Sequence, residues 1–373
     1  MSSWNPHIYE REGNSKGFSS EYLKSLIKEG KAYRKADLPV IFTLGHLAAI
    51  VDVPFQYIHS VVSRKIDPYR TFRIKKHNGK YRIIAIPQPS LLRMQRWIHQ
   101  NILLRCNVHD CSKAYIPGTS PYKNAANHCG AKWLVKIDIQ RFFESISERQ
   151  VYHVFKKMGY RHLLSFEFAR IATRLGPYSS RYKKRRWKSM KHYNIEQYEC
   201  PHVGHLPQGA PTSPMLANLV CIELDIKLSD LAESLNSIYT RYSDDMVFSG
   251  RDLDRIKATE LIRKSARILS NYGFRSNTQK TCIVPPGARK IVTGLLVDRD
   301  KPKLTKDFKN NLRCHLHYAK KYSVAEHCQR RDFHSLLGFR NHLAGLISYA
   351  KSVTPEYGAK CQKRFDEISW PQE

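Results

Sequence analysis

Apolar residues at helical spacing dominate the first part of the chain. The Ser19–Glu21 segment forms a capping pattern before a helix that extends to about Gly30. Thr43 precedes a second helix, and apolar side chains recur every three to four residues over 55–62 in a third. The pattern therefore predicts a helical N-terminal extension over residues 1–66.

The pattern then changes to that of a β-hairpin. Two stretches, Tyr69–Lys75 and Tyr81–Ile86, flank an Asn-Gly pair, which is a strong hairpin signal. The hairpin is rich in cations, among them Arg73 and Arg82. A two-stranded basic ribbon suits a lid over phosphates, although a merely solvated hairpin would carry the same charges. A helix with a broad apolar face follows over 91–102.

A continuous apolar run occupies Trp133–Ile139, after a loop and a short helix that contains Asn124 and His128. Such a run predicts a strand that is buried on both faces. Asp138 lies near its end, where a buried carboxylate is costly without a charge partner. Asp138 is therefore a candidate site residue.

A second hairpin is predicted from Ile238–Tyr242 and Met246–Ser249, with a tight polar turn between them. The turn contains the adjacent carboxylates of Asp244 and Asp245, which repel each other unless a cation lies between them. Taken alone, the pair fits a metal site and a solvated turn about equally well, since Asp is common in turns.

A stiff loop, Leu206–Pro214, leads into an apolar helix. Ser213 is suited to cap this helix and Pro214 to lie in its first turn. Gly209 would let a substrate approach the backbone closely. The side-chain amide of Gln208 can both donate and accept hydrogen bonds. This loop is a second candidate for substrate contact, although it could also be a plain helix entry.

The C-terminal part combines short strands with basic helices. A helix is predicted over 252–272, a strand over 278–284 and a hairpin over 290–297 around Thr293-Gly294. The remainder, 304–367, is basic and is predicted to form three helices.

Composition points to a nucleic-acid partner. Lysine and arginine number 63 against 32 aspartate and glutamate residues, which gives a formal net charge of +31 spread along the chain. Hydrophobic residues make up 42%, so the chain is not a disordered tail. The nine cysteines have no regular spacing, which argues against a disulfide framework. Without a signal-peptide pattern or an apolar run of about 18 residues, we expect a cytoplasmic protein with no membrane contact.

Two features remain open at the level of sequence. Arg181–Lys188 interleaves aromatic residues with cations, which fits a nucleic-acid contact and a solvated charge run about equally well. Cys200, His202 and His205 suggest zinc, but a fourth ligand at a usual spacing is missing, so a zinc site is the less favoured interpretation.

Three carboxylates, far apart in the sequence, could form a single metal site. Asp138, Asp244 and Asp245 each lie at the end of a strand or in a strand turn, and a mixed sheet could bring them together. Three carboxylates at one spot suit a pair of Mg²⁺ ions about 4 Å apart, the arrangement used for nucleotidyl transfer. The basic hairpin would then bind the triphosphate of the nucleotide substrate.

These motifs resemble those of a known family. Lys136–Phe143, Leu206–Pro214 and Tyr242–Asp245 look like the three core palm motifs of reverse transcriptases, in order and at compatible spacing. The second residue of the last motif is usually Ala or Met in that family and is Ser243 here. The resemblance implies an α+β right-hand polymerase of fingers, palm and thumb, with a ferredoxin-like palm sheet and a helical thumb.

Shorter elements resemble the retron subgroup of that family. Asn124–His128 fits its Asn-Ala-x-x-His element, Val292–Gly294 fits its Val-Thr-Gly element, and residues 336–365 look like its thumb. The implied domains are, in order, a helical extension, fingers with part of the palm, a palm with a basic insertion at about 176–205, and a helical thumb: 1–66, 67–137, 138–300 and 301–373.

The resemblance also implies residue roles. The metal ligands would be Asp138, Asp244 and Asp245, with the Ile139 carbonyl nearby. The nucleotide would be bound by Arg73, Arg82, Phe143, Gln208, Gly209 and Lys280. Among these, Phe143 would be the gate that excludes ribonucleotides, the two arginines would hold the triphosphate, and Lys280 would lie near the leaving group. Nucleic acid would be contacted by Asn124, His128, Tyr242, Thr293 and Gly294.

A retron enzyme copies part of its own structured non-coding RNA into DNA from dNTPs. Priming from the 2′-hydroxyl of a guanosine gives a branched RNA–DNA molecule (msDNA), and such enzymes often act with an effector protein against phage. The alternatives are a reverse transcriptase of another bacterial lineage, related to group II introns or abortive infection, and a non-catalytic RNA-binding scaffold with a polymerase fold.

Overall fold

The computed structural model describes residues 4–75, 79, 81–176, 198, 200 and 202–370. The chain divides into two compact units. Unit 1 comprises Met1–Ile116, Ile139–Lys227 and Arg267–Ser276, and unit 2 comprises Pro117–Asp138, Leu228–Ala266 and Asn277–Glu373.

The described residues form the following helices: α1 (Pro6–Ser15), α2 (Ser20–Lys35), α3 (Leu44–Val51), α4 (Phe55–Val62), α5 (Pro89–Asn101), α6 (Pro121–Ala126), α7 (Phe142–Ser145), α8 (Glu148–Lys157), α9 (His162–Ala172), α10 (Ser213–Val220), α11 (Ile222–Glu233), α12 (Arg255–Asn271), α13 (Lys306–Lys321), α14 (Val324–Arg330), α15 (Leu336–Val353) and α16 (Pro355–Asp366). The strands are β1 (Tyr69–Lys75), β2 (Tyr81–Pro87), β3 (Trp133–Asp138), β4 (Ile238–Tyr242), β5 (Asp245–Gly250), β6 (Cys282–Val284), β7 (Ile291–Val292), β8 (Leu295–Leu296) and β9 (Lys303–Leu304). Both the helical and the strand content fit the predicted α+β class. No described helix has the length and apolar character needed to cross a membrane.

The N-terminal helices of unit 1 begin where their caps predict. The Ser19 side chain accepts a hydrogen bond from the backbone N–H of Tyr22, and the Thr43 hydroxyl accepts one from His46. The helix predicted to end near Gly30 continues to Lys35. Helix α1 lies within the predicted helical extension, but its mostly polar sequence gave no separate helix signal; it is capped by the side chain of Asn5.

Unit 1 also contains the predicted basic hairpin. Strands β1 and β2 pair antiparallel from Tyr69 opposite Pro87 to Lys75 opposite Tyr81. Much of the ribbon is exposed, and the buried positions of β2 are Ala85 and Pro87. The predicted hairpin is confirmed, with its basic side chains on an open ribbon.

The loop before α10 differs from the prediction by one residue. Thr212, and not Ser213, occupies the N-cap position, but its side chain makes no capping hydrogen bond and its backbone is already close to helical at φ −78° and ψ −27°. Pro214 therefore lies second in the helix, where its missing N–H still costs no hydrogen bond. The predicted single helix is also split at Cys221, whose ψ of −1° interrupts the helical backbone between α10 and α11.

Unit 2 is built on a four-stranded antiparallel sheet with the order β4-β5-β3-β6. Strand β3 lies inside the sheet, and Leu134, Val135 and Ile137 are buried, which confirms the predicted strand with two covered faces. Strand β6 begins only at Cys282 and not at 278. The preceding residues form a turn in which the N–H groups of Lys280 and Thr281 donate to the carbonyl of Asn277.

The rest of unit 2 is a small sheet and a helical C-terminal part. Strands β7, β8 and β9 form a three-stranded antiparallel sheet. Four helices, α13–α16, follow where three were predicted; the additional one is the seven-residue α14, which is too short to show a clear periodicity. A buried apolar cluster joins these helices to strands β3, β5 and β8 through Leu134, Val247 and Leu295.

Candidate active site

The acidic pair lies at the tip of the β4–β5 hairpin in unit 2. Tyr242 pairs with Asp245, so Ser243 and Asp244 alone form the turn, and β5 begins one residue earlier than predicted. Ser243 has a φ of +62°, which is the conformation that a tight two-residue hairpin turn requires at its first position. The turn is supported from within by Arg241, a buried residue whose Nη1 donates to the Ser243 carbonyl at 3.2 Å.

The third carboxylate is brought to this hairpin by strand pairing. Asp138 ends β3 directly opposite Asp245 on β5. Directly opposed residues of an antiparallel pair project to the same face, with Cβ atoms about 4.5–5.5 Å apart. The register makes Asp138 and Asp245 neighbours and places Asp244 in the adjoining turn, so one sheet brings the three aspartates together as predicted, although the sheet is antiparallel and not mixed.

Asp138 is buried, with 5% of the residue exposed, and its carboxylate is compensated by two side chains. Asn277 Nδ2 donates to Oδ1 at 2.9 Å, and Lys280 Nζ donates to Oδ2 at 2.7 Å. The Asn277 N–H also donates to the Asp138 carbonyl at 2.7 Å. Lys280 was predicted as a site residue, whereas Asn277 was not, because nothing in a lone asparagine of a turn distinguishes it.

The electrostatics of the site favour a bound cation. Burial, and then repulsion from Asp245, raise the pKa of Asp244 above its ordinary value. Partial desolvation also raises the pKa of Asp245, and Lys136 opposes this shift while Asp138 adds to it. The hydrogen bond from Lys280 to Asp138 raises the pKa of Lys280. The raised carboxyl pKa values reflect burial first and repulsion between the carboxylates second, and a bound cation would counter both effects.

This donor set fits a divalent metal ion. Carboxylate oxygens are the ligands that Mg²⁺ prefers, and Mg²⁺ is usually held by one or two carboxylates together with substrate phosphates. Among the residues that the structure describes, however, no three His, Cys, Asp or Glu side chains are grouped so as to hold a metal ion by themselves, and this includes Asp138, Asp244 and Asp245. In particular, Cys200, His202 and His205 do not form such a group, and the 181–188 stretch lies outside the described residues.

Two of the predicted nucleic-acid contacts, Asn124 and His128, are fully buried. His128 Nδ1 lies 2.7 Å from Ser249 Oγ, and Nε2 lies 2.7 Å from Thr240 Oγ1. Burial lowers the pKa of His128 to about 3, so the imidazole is neutral. Neither side chain presents a surface that nucleic acid can reach in this structure.

The Thr293-Gly294 pair forms the turn between β7 and β8, as predicted. Both residues have positive φ, +45° and +81°, a combination typical of two-residue hairpin turns. The Thr293 hydroxyl donates to the carbonyl of Pro121 at 2.8 Å, which ties the turn to the start of α6. Tyr242, the remaining predicted contact, is half-buried at the end of β4.

The Gln208-Gly209 loop of unit 1 packs on the basic hairpin. The Ala85 N–H donates to the Gln208 carbonyl at 2.8 Å. Gly209 has a φ of +115°, and a Cβ at this position would lie 2.9 Å from both the Ala85 carbonyl oxygen and Ile84 Cγ2. A glycine is needed here because the hairpin itself comes so close to the loop.

The two predicted triphosphate ligands project from opposite faces of the same hairpin. Arg73 lies opposite Ile83, and Arg82 lies opposite Ile74. Opposed residues share a face and successive residues alternate, so Arg73 and Arg82 project to different sides. Arg82 shares its face with Ile84, the residue that contacts Gly209.

Phe143, the predicted sugar gate, lies in the one-turn helix α7, with 9% of its surface exposed. Its ring lies 6.4 Å from that of Tyr115 and 5.4 Å from that of Phe142, measured between centroids. Ile139, whose carbonyl was predicted near the metals, is buried and forms an isolated antiparallel bridge with Ser276. Strand β3 itself ends at Asp138, where the sequence placed the acid that closes the apolar run.

Comparison with known proteins gives consistent matches. The family model "Reverse transcriptase (RNA-dependent DNA polymerase)" matches residues 74–309. Retron Ec86 reverse transcriptase of Escherichia coli is 28% identical over 346 residues, which cover 91% of this chain and 97% of the relative. Retron Ec73 reverse transcriptase, also of Escherichia coli, is 30% identical over 324 residues, which cover 84% of this chain and 92% of the relative. Retron Mx162 reverse transcriptase of Myxococcus xanthus is 33% identical over 266 residues, which cover 68% of this chain and 53% of the relative.

Comparison with solved structures gives a match to apo telomerase from Candida tropicalis, with a TM-score of 0.43 and 11% identity, which covers 79% of this chain and 58% of that one.

The family match covers more than half of the chain and includes all three aspartates. It confirms the α+β right-hand polymerase fold that the motifs predicted, in a family that generally uses divalent metal ions. The retron relatives imply an RNA template and a DNA product. The chain therefore belongs to the reverse transcriptase family and, within it, to the retron reverse transcriptases, which are RNA-directed DNA polymerases.

Proposed function

We propose that this enzyme copies part of a structured non-coding RNA into single-stranded DNA by two-metal nucleotidyl transfer. The observation that carries the proposal is the pairing of Asp138 with Asp245 next to Asp244, with Lys280 on the Asp138 carboxylate. Two Mg²⁺ ions, when bound, would activate the attacking hydroxyl and stabilise the leaving pyrophosphate. The protein's own part is to hold Asp138, Asp244 and Asp245 as ligands in a fixed geometry.

The residues of the chain would divide the remaining tasks. Lys280 would neutralise Asp138 before the metals bind and would lie near the leaving group. On unit 1, Gln208 and Gly209 would contact the incoming dNTP. Arg82 is a better candidate than Arg73 to bind the triphosphate, because it projects to the same face of the hairpin as Ile84, which lies next to Gly209. Phe143 would exclude the ribose 2′-hydroxyl. Arg73, Tyr242, Thr293 and Gly294 remain proposed contacts of nucleotide or nucleic acid.

The domain plan is part of the same proposal. We infer a helical extension, fingers, palm and thumb over 1–66, 67–137, 138–300 and 301–373. The product would be msDNA primed from a guanosine 2′-hydroxyl, and the enzyme would act in the cytoplasm with an effector protein in defence against phage. The similarity to retron enzymes along most of the chain supports this assignment over other bacterial lineages.

The product of the enzyme in its host provides the decisive test. We expect protein purified from the native host to carry a branched RNA–DNA molecule, which a debranching enzyme converts into linear RNA and DNA. DNA that is linear, and unaffected by that enzyme, would favour another lineage of reverse transcriptase. Bound RNA without any DNA would favour a non-catalytic RNA-binding scaffold.

The metal ligands can be tested by single substitutions in the hairpin. Asp244→Asn and Asp245→Asn should each abolish RNA-templated DNA synthesis, because each removes a charged ligand while keeping the size of the side chain. RNA binding, measured by filter retention, should change little. Asp300→Asn, at an exposed aspartate of the same unit, is the matched control. Normal synthesis in either hairpin variant would disprove the two-metal assignment.

A further inference from the structure

A buried imidazole holds the strands that carry the catalytic aspartates. His128 follows α6 and has no exposed surface. One of its ring nitrogens lies 2.7 Å from the hydroxyl of Thr240 on β4, and the other lies 2.7 Å from the hydroxyl of Ser249 on β5. Each contact is a hydrogen bond of near-ideal length, and together they use both nitrogens of the ring. His128 therefore bridges the two strands of the hairpin.

The bridged residues lie on the face that carries the metal ligands. Thr240 is opposite Val247 and Tyr242 is opposite Asp245, so Thr240, Val247, Ser249 and Asp245 all project to one side of the sheet. Asp138 projects to the same side, because it is opposite Asp245. His128 thus contacts the face of the sheet that the catalytic carboxylates share, at strand positions two and four residues further along β5 than Asp245.

Helix α6 covers this face together with His128. Ala125 belongs to the same buried apolar cluster as Leu134 of β3 and Val247 of β5. At the other end of the helix, the carbonyl of Pro121 accepts the hydrogen bond from Thr293 in the β7–β8 turn. The helix is therefore tied at one end to that turn and at the other end to the catalytic hairpin.

Asn124 does not contribute to this attachment. Although fully buried, its side-chain amide has no hydrogen-bond partner among the described residues. The polar connection between α6 and the hairpin thus depends on His128.

We propose that His128 is a positioning residue for DNA synthesis, which fixes β4 against β5 so that Asp244 and Asp245 meet Asp138 in metal-binding geometry. It touches neither substrate nor metal. The inference rests on the proposed metal-ligand role of the three aspartates. Residues that orient metal ligands without binding the metal typically change metal affinity by about 10–100-fold when they are replaced.

The first variant to test is His128→Leu, which leaves the Thr240 and Ser249 hydroxyls buried without partners. We expect the Mg²⁺ concentration that gives half-maximal DNA synthesis to rise about tenfold or more. RNA affinity should remain unchanged. The stabilisation of the nucleotide-free protein by Mn²⁺, followed as a shift in Tm, should weaken in parallel, and this readout does not depend on activity. His128→Gln, whose amide can still donate to one hydroxyl and accept from the other, should recover much of the loss.

A triple variant separates positioning from simple packing. Combining His128→Leu with Thr240→Val and Ser249→Ala removes the buried unpaired groups, so the Tm should return towards that of the parent protein. If His128 positions the hairpin, the requirement for Mg²⁺ stays high although the fold is restored. If the triple variant recovers both Tm and Mg²⁺ dependence, the inference is wrong and the residue only fills the core.

A failure of the positioning role of His128 can be distinguished from a failure of the proposed metal-ligand assignment. Were the metal assignment itself wrong, Asp244→Asn would also keep its activity and its Mn²⁺ stabilisation. Normal metal dependence in His128→Leu, alongside an inactive Asp244→Asn, would overturn only the positioning role.

Discussion

Gly209→Ala tests whether the loop before α10 must keep its close approach to the basic hairpin. At φ +115° any L-residue is strained, and the added Cβ would meet the Ala85 carbonyl oxygen at 2.9 Å. That oxygen belongs to backbone and cannot rotate away as a side chain could. The same two segments are also joined by the hydrogen bond from the Ala85 N–H to the Gln208 carbonyl at 2.8 Å. The loop, and Gln208 with it, must therefore move.

The size of the effect follows from the backbone. A residue held in a sparsely populated region of φ and ψ costs about 1–3 kcal/mol. If the loop relieves this cost by leaving its position, the competent state is depleted about 5–150-fold. Because Gln208 and Gly209 are proposed to contact the incoming nucleotide, we expect kcat/KM for dNTP to fall within that range, while RNA affinity is unchanged.

Gly273→Ala is the matched control, because Gly273 has a φ of +84° and no atom within 4 Å of the added Cβ. It carries a backbone penalty of the same kind without the steric contact. Single-nucleotide incorporation on a fixed template-primer, with dNTP varied, measures both variants. Equal kinetics in the two variants would refute the claim that contact with the hairpin matters at Gly209.

Three further predictions follow from other parts of the structure. Phe143→Ala should admit ribonucleotides, measured as the ratio of rNTP to dNTP incorporation, and an unchanged ratio would reject Phe143 as the gate. Arg82→Ala should raise KM for dNTP more than Arg73→Ala does, because the two side chains leave the hairpin on opposite faces; equal effects would contradict that assignment. Glu148→Gln should lower the free energy of unfolding by about 3–5 kcal/mol in a urea titration, since it disrupts a fully buried carboxylate that two arginines contact at 2.5 Å. The exposed pair formed by Glu223 is the control, and Glu223→Gln should cost less than about 1 kcal/mol; similar losses in both variants would show that burial does not set the effect.

The sequence predicts this enzyme well wherever chemistry and local pattern coincide. The strand that ends in Asp138, the hairpin around Asp244 and the Thr293-Gly294 turn all have short-range signals, in apolar runs or in turn residues, and all three are present. Element ends are less well predicted. Thr212, and not Ser213, precedes the first residue of α10, and because neither hydroxyl makes a capping hydrogen bond, the backbone angles alone mark where the helix begins.

Contacts between distant segments are what the sequence could not show. His128 lies 112 residues from Thr240 and 121 from Ser249, and Asn277 lies 139 from Asp138. Histidine and asparagine in a polar motif are compatible with binding nucleic acid and with closing a buried network. The choice between these roles depends on burial, which the surrounding fold determines.

Ser243 shows how support from within the β4–β5 hairpin bears on the aspartate motif itself. A left-handed backbone costs an L-residue about 1–2 kcal/mol, and glycine is the usual solution at the first position of a tight hairpin turn. Here the position is buried, with 6% of Ser243 exposed, which favours a small side chain. The Ser243 carbonyl is held by the fully buried Arg241 at 3.2 Å. A glycine would relieve the strain but would also allow the turn more conformations, and Asp244 immediately follows. A small residue other than glycine, fixed through its carbonyl, therefore restricts the backbone next to the proposed metal ligands.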